Sequence, residues 1–162
     1  SEAGARLDKT ITTMPEAFAP KARWAMDWYY PVLAGVIGGP EGRARLAGHG
    51  AQFAMPDHGI RCVSDRDWIT TAETCECAMA YLAVGQRERA FELFESVQEY
   101  RDNDGRYFTG FAYPEKVSFP SDERSTYSAA AVILAADALS GATPASGLFA
   151  DQDLLPRPTV VR

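Results

Sequence analysis

The chain has 162 residues, a formal net charge of -6 and an isoelectric point near 4.9, with Lys and Arg scattered rather than striped. That balance excludes a duplex nucleic-acid reader and disfavours an anionic membrane surface as partner. A hydrophobic share of 46% against 23% charged places it among chains that bury a core, and no stretch of about 18 apolar residues free of charge is long enough to span a bilayer.

The three cysteines, Cys62, Cys75 and Cys77, are an odd number. Cys-x-Cys within one helix points its thiols to different faces. It is neither a disulfide framework nor a usual zinc spacing, so buried free thiols in a reducing, cytoplasmic compartment are expected. No metal or other cofactor is expected. No secretory signal is apparent, and the start at Ser1 rather than Met is expected of a processed or excised product.

In chain order, residues 1–20 read as a lead-in punctuated by Pro15 and Pro20. A first helix is expected from about Lys21, carrying Trp24, Trp28, Tyr29, Val32 and Leu33, with a kink at Pro31 and an end at Gly38-Gly39-Pro40. A second spans about Glu41 to Ala54, and Met55 to Arg66 is a loop. The third runs from about Asp67 to Val84 and is apolar on nearly every face, which predicts burial on most sides. The fourth, Arg87 to Tyr100, sets Glu88, Glu92, Glu95 and Glu99 on one face against Ala90, Phe91, Phe94 and Val97 on the other, as in an outer helix. A long loop from Arg101 to about Asp122 precedes a last helix, about Glu123 to Leu139, again apolar all round and stopped by Gly141. The helical domain is therefore 21–141, and 142–162 is a tail.

At an offset of 46 positions Gly39 falls on Gly85, Ala44 on Ala90, Gln52 on Gln98 and Gly59 on Gly105, while Asp27-Trp28 echoes Asp67-Trp68. Buried helices alternating with amphipathic ones, in repeating hairpins, predict an all-α fold: an α/α toroid, or part of one, with apolar inner and amphipathic outer helices.

The stretch AFELFESVQEYRDNDGRYFTG (90–110) and its continuation PEKVSFPSDERSTYSAAAVILA (114–135) resemble the α/α-toroid superfamily. One branch it is similar to holds prenyltransferases, squalene-type cyclases and actinobacterial prenyltransferase-like proteins. The other holds six-hairpin glycosidases similar to glucoamylases, in which Pro-Glu before a Thr-aromatic-Ser/Ala helix start carries the catalytic base. The first resemblance implies a zinc site of Asp, Cys and His, or an Asp-rich protonating motif. Neither is found: the only histidines, His49 and His58, precede Cys75, and Asp65-Arg66-Asp67 is interrupted by Arg66. The superfamily's closed ring needs more hairpins than this chain supplies, so an open arc, completed by self-association or by more of a longer chain, is expected.

Candidate chemistry follows from position. Asp27-Trp28, Asp67-Trp68 and Glu123 with Tyr127 lie near the starts of helices expected to share one mouth of the ring. Acids can protonate a leaving oxygen and activate water, and flat rings stack on a sugar. Asp27 and Asp67 read equally as helix caps. Glu73, among Ala72, Cys75 and Met79, is either a buried general acid with a raised pKa or the partner of Arg61 or Arg66. By the glycosidase resemblance Glu115 and Glu123 are base candidates, Glu123 preferred. The catalytic set is thus Glu73, Glu123 and Asp67; Trp28, Trp68, Tyr127 and Asp27 are expected to bind substrate. The aromatic loop residues Tyr107, Phe108, Phe111, Tyr113 and Phe119 either wall a cleft or fill the seam between helices. The leading expectation is hydrolysis of a glycosidic bond in an oligosaccharide or smaller substrate, without nucleic acid or membrane span. An isoprenoid-handling toroid and a non-catalytic assembly module stand as alternatives.

Overall fold

The computed structural model describes residues 2–19 and 21–149. Among them six helices carry the fold: α1 (Glu2–Thr13), α2 (Ala25–Leu33), α3 (Gly39–Phe53), α4 (Thr71–Ala83), α5 (Arg87–Ser96) and α6 (Thr126–Ser140). Short 3-10 turns at Pro15–Ala17 and Val97–Tyr100 follow α1 and α5. Five strands of two or three residues stitch the loops: β1 (Ala54–Met55), β2 (Gly59–Ile60), β3 (Trp68–Thr70), β4 (Gly110–Ala112) and β5 (Val117–Phe119). β1 pairs with β2, and β3, β4 and β5 form a separate antiparallel sheet in that order. No sheet closes among these residues, and the architecture is an open arc of helical hairpins, as part of an α/α toroid requires.

α4 is the hub. It packs against α2, α5 and α6, while α2 also touches α3 and α5 touches α6. Its residues from Thr74 to Tyr81 are all buried, because neighbours cover it on three sides. α5 is outside, with Ala90 and Leu93 buried and its Glu stripe exposed; Phe91, expected inward, is exposed under the guanidinium of Arg87. α6 corrects the expectation of all-round burial. Ala131, Val132, Ala135 and Leu139 face the core, but Tyr127, Ile133 and Leu134 are exposed, Ile133 by 67%, because no described element packs on that side.

Local chemistry sets the helix ends. Pro31 lies inside α2 and cannot donate to the Asp27 carbonyl; Arg45 of α3 supplies the donor at 2.8 Å and donates a second bond to the Trp28 carbonyl, also 2.8 Å. α2 ends at Leu33, earlier than Gly38. α4 closes with Gly85 left-handed (φ 77), its N–H donating to Leu82 O and that of Gln86 to Tyr81 O, a Schellman arrangement. Ser125 caps α6, its hydroxyl accepting from the Ser128 N–H, and Gly141 ends it at φ 68. Of the repeat, the four glycines share positive φ but not position: Gly39 opens α3 while Gly85 lies between α4 and α5, and Gly59 lies in β2 while Gly105 lies in a bend. Ala44 is exposed where Ala90 is buried, and Trp28 lies within a helix where Trp68 lies on a strand.

The expected third helix starts late: Trp68–Thr70 is strand β3, and only at Thr71 does the chain turn helical. The expected long loop contains the β4–β5 hairpin. Gly110 is required there, since a Cβ would lie 2.2 Å from the Ile69 carbonyl oxygen across the β3–β4 pair. The lead-in is α1 and its following turn, with no buried residue. Of the expected tail, 142–149 consists of turns and residues 150–162 lie outside the described residues. No helix among the described residues is long and apolar enough to cross a membrane. All three thiols are buried and unpaired.

Candidate functional site

The β3–α4 junction and the segment before α6 come together at one cleft. Its volume is about 360 Å³, and its walls include Trp68, Thr70, Glu73, Phe119, Glu123 and Tyr127. Through Arg23 and Trp68 it continues into an open, more polar groove of about 1100 Å³ that carries Arg61, Asp67, Tyr113 and Glu115.

Thr109 ties the two acid-bearing segments together. Its carbonyl accepts from the Thr71 N–H at the start of α4 (3.0 Å), and its own N–H donates to the Glu123 carbonyl (2.9 Å). Its hydroxyl reaches Glu123 Oε1 at 3.3 Å. The Thr71 hydroxyl donates to Phe108 O at 2.7 Å, fixing the same strand a second time. Glu123 itself precedes α6 by three residues and is exposed. Its neighbour Arg124 anchors the segment, with Nε 2.6 Å from Asp102 Oδ2 and the guanidinium 3.9 Å above the Phe108 ring. One wall is aromatic: Trp68 of β3 stacks on Phe119 of β5 at 4.5 Å. The rest is largely apolar, formed by Cys62, Val63, Ala72 and Pro120.

Glu73, in the first turn of α4, has no ion pair among the described residues. Arg61, one of its expected partners, binds Asp67 instead at 2.7 Å. Burial pushes the Glu73 carboxyl above its usual range; the Thr70 hydroxyl opposes the shift and the Glu76 carboxyl adds to it. Thr70 itself is buried and lines the cleft beside Glu73. Cys62 is pushed up to about 11, by burial first and then by the charge of Glu73.

Of the residues expected to act, Glu73, Glu123, Trp68 and Tyr127 share this cleft. Asp67 does not; it lies in the adjoining groove, paired with Arg61. Asp27 is exposed on α2 and lines none of these cavities. Trp28 is core: it is 3% exposed, stacks on Phe53 at 5.5 Å, and its indole N–H donates to Arg45 O at 3.0 Å. A ring enclosed on both faces offers no platform to a sugar. Trp24, not singled out from the sequence as a binding residue, is 44% exposed and lines the cleft. The loop aromatics divide. Phe119 walls the cleft and Tyr113 the groove, while Phe111 is buried against Tyr100.

Glu76 was not anticipated. It is 8% exposed, three residues after Glu73 on α4, and accepts a hydrogen bond from the Tyr29 hydroxyl at 2.6 Å and another from the Tyr127 hydroxyl. The one signal available in the sequence was a carboxyl between two buried cysteines, Cys75 and Cys77. Among the described residues no group of three or more His, Cys, Asp or Glu is placed to hold a metal ion.

No family model matches the chain. Over 149 residues it is 48% identical to a Mycolicibacterium hassiacum protein described as an MMP endo-(1,4)-3-O-methyl-alpha-D-mannosidase; the match covers 92% of this chain and 41% of that protein. The chain therefore spans about two fifths of the length of the curated relative it matches. That relative is, by its description, a glycosidase rather than a prenyltransferase.

Proposed function

We propose that this chain carries an acid pair of a glycoside hydrolase, Glu73 and Glu123, and that its substrate is a 3-O-methylated, α-linked mannoside chain. The observation that carries the reading is one cleft walled by both carboxyls and by the Trp68–Phe119 stack. Similarity to the mannosidase supports the substrate class.

Glu73 suits the general acid. Burial shifts its carboxyl toward the protonated form, which can give its proton to the glycosidic oxygen as the bond to the anomeric carbon breaks. Glu123 offers an exposed carboxyl that takes a proton from the water attacking that carbon, so the products are the two shortened saccharides, with one water consumed. Trp68 presents a flat face to the apolar side of a sugar ring. The walls of Cys62, Val63, Ala72 and Pro120 accept methyl ethers without leaving polar groups unpaired, which a hydroxyl-binding site would not. The open groove beyond Trp68 gives a polymer room to continue, as internal cleavage demands.

The same proposal covers the setting. The exposed apolar side of α6 is suited to further helical hairpins of a longer chain, or to a second copy, and the buried thiols fit a reducing, cytoplasmic compartment. The test is Glu73→Gln and Glu123→Gln in the full-length protein carrying this chain, with cleavage of a 3-O-methylmannose oligosaccharide followed by product release. Each change is expected to lower kcat by about 10²-fold or more. Parent-like turnover in both variants would refute the assignment.

A further inference from the structure

We infer that Glu76 is a positioning residue that fixes Tyr127 as a substrate-facing wall of the cleft, a role that rests on the glycosidase reading above. The Tyr127 ring stands between two cavities. One is the cleft with Glu73; the other is an apolar pocket of about 350 Å³ bordered by Tyr30, Leu33, Met79 and Leu134. The ring is 54% exposed and sits at the start of α6, where nothing in its own helix holds it in place. Its hydroxyl, however, donates to Glu76 and also meets the Tyr30 hydroxyl. The other Glu76 oxygen accepts from Tyr29, a fully buried residue of α2. One carboxyl, lining the apolar pocket, thus ties α2, α4 and α6 together beside the cleft wall that Tyr127 forms.

Energetics argue against a filler role. Removing a carboxyl from water costs several kcal/mol unless its oxygens are satisfied, and a well-packed apolar side chain in such a place is commonly neutral or better. No basic side chain is hydrogen-bonded to Glu76 among the described residues; its bonds go to tyrosine hydroxyls. What those bonds achieve is orientation. An exposed tyrosine free at its hydroxyl would sample several rotamers, and ordering a side chain on binding costs about 0.5–1.5 kcal/mol. With the hydroxyl held by Glu76, the ring face toward Glu73 is set before the saccharide arrives, and that entropy is already lost in the free protein.

The test uses the full-length protein with Glu73→Gln as background, so that a 3-O-methylmannose tetrasaccharide binds without being cleaved. Dissociation constants are compared by titration calorimetry for that reference, then with Glu76→Leu, Tyr127→Phe, and both added. Each single change is expected to weaken binding several-fold, and the pair no more than the larger of the two, since both remove the same restraint. In the otherwise wild-type enzyme KM should rise more than kcat falls. Unchanged binding in Glu76→Leu, or weakening that multiplies in the pair, would overturn the inference. Should Glu76→Leu fail to fold, Tyr127→Phe decides, since it removes one hydroxyl and keeps the ring; unchanged binding there is equally fatal. If the reference itself does not bind the saccharide, the glycosidase reading fails first, and this role falls with it.

Discussion

Glu73 lacks a cation, and its proton therefore has measurable consequences. Its pKa is raised from 4.5 in the folded state, chiefly by burial. A raised carboxyl pKa means that folding favours the proton. The associated stability is full below pH 4.5 and is lost as pH rises through the folded value. Glu73→Gln has no such proton, so its melting temperature should gain on the parent's as pH rises above 4.5, with no divergence below it. A constant difference from acid to neutral pH would contradict this. In activity, the alkaline limb of the kcat/KM profile should follow Glu73. Because Glu76 adds to the shift, Glu76→Gln should move that limb to lower pH. The groups facing this pair are Tyr29 and Tyr30 from α2 and Tyr127 from α6, with Cys75 and Cys77 alongside on α4. Glu73 was legible in the sequence because a lone carboxyl in an apolar helix start is conspicuous. Glu76 was not, since its partners come from residues 47 and 51 positions away. Trp28 misled because Asp-Trp looks the same in a chain whether the ring faces a mouth or a core.

At the level of elements, the cleft depends on the β3–β4–β5 sheet, and that sheet depends on Gly110. Gly110→Ala would press a methyl group against the Ile69 carbonyl, where backbone rather than a flexible side chain must yield. Loss of about 2 kcal/mol or more is expected in denaturant unfolding, together with a fall in activity, because β3 leads directly into Glu73. A variant as stable as the parent would argue that the pairing is dispensable. Helices α2 to α6 were readable from periodicity, and Gly85 and Gly141 from their stop positions, whereas α1 lay in the stretch read as a lead-in. The strands were not: three residues are too few to show alternation, and Trp68-Ile69-Thr70 runs unbroken into the apolar pattern of α4. The link between the acids, Thr109, lay in what reads as loop, and it is made mainly by backbone groups, which the side-chain pattern does not reveal.

On the scale of the molecule, layering was legible and completeness was not. All-round apolarity predicted burial for α4 and α6 alike, and it holds for α4 because neighbours cover three sides. α6 has the same composition, but Tyr127, Ile133 and Leu134 are exposed, so all-round apolarity alone did not separate the two helices. Amide exchange should accordingly be slowest in α4, slower than in α5, with α6 protected mainly along its Ala131–Ala135 side; fastest exchange in α4 would invert the architecture. The proposed chemistry places the scissile bond between α4 and the segment before α6. The most direct test is a crystal structure of the full-length protein carrying Glu73→Gln with a bound 3-O-methylmannose tetrasaccharide. The glycosidic oxygen should lie about 3 Å from the side chain at position 73, with a sugar ring against Trp68 and the Glu123 carboxyl across the anomeric carbon. A saccharide bound elsewhere, with neither carboxyl near a glycosidic bond, would contradict the account.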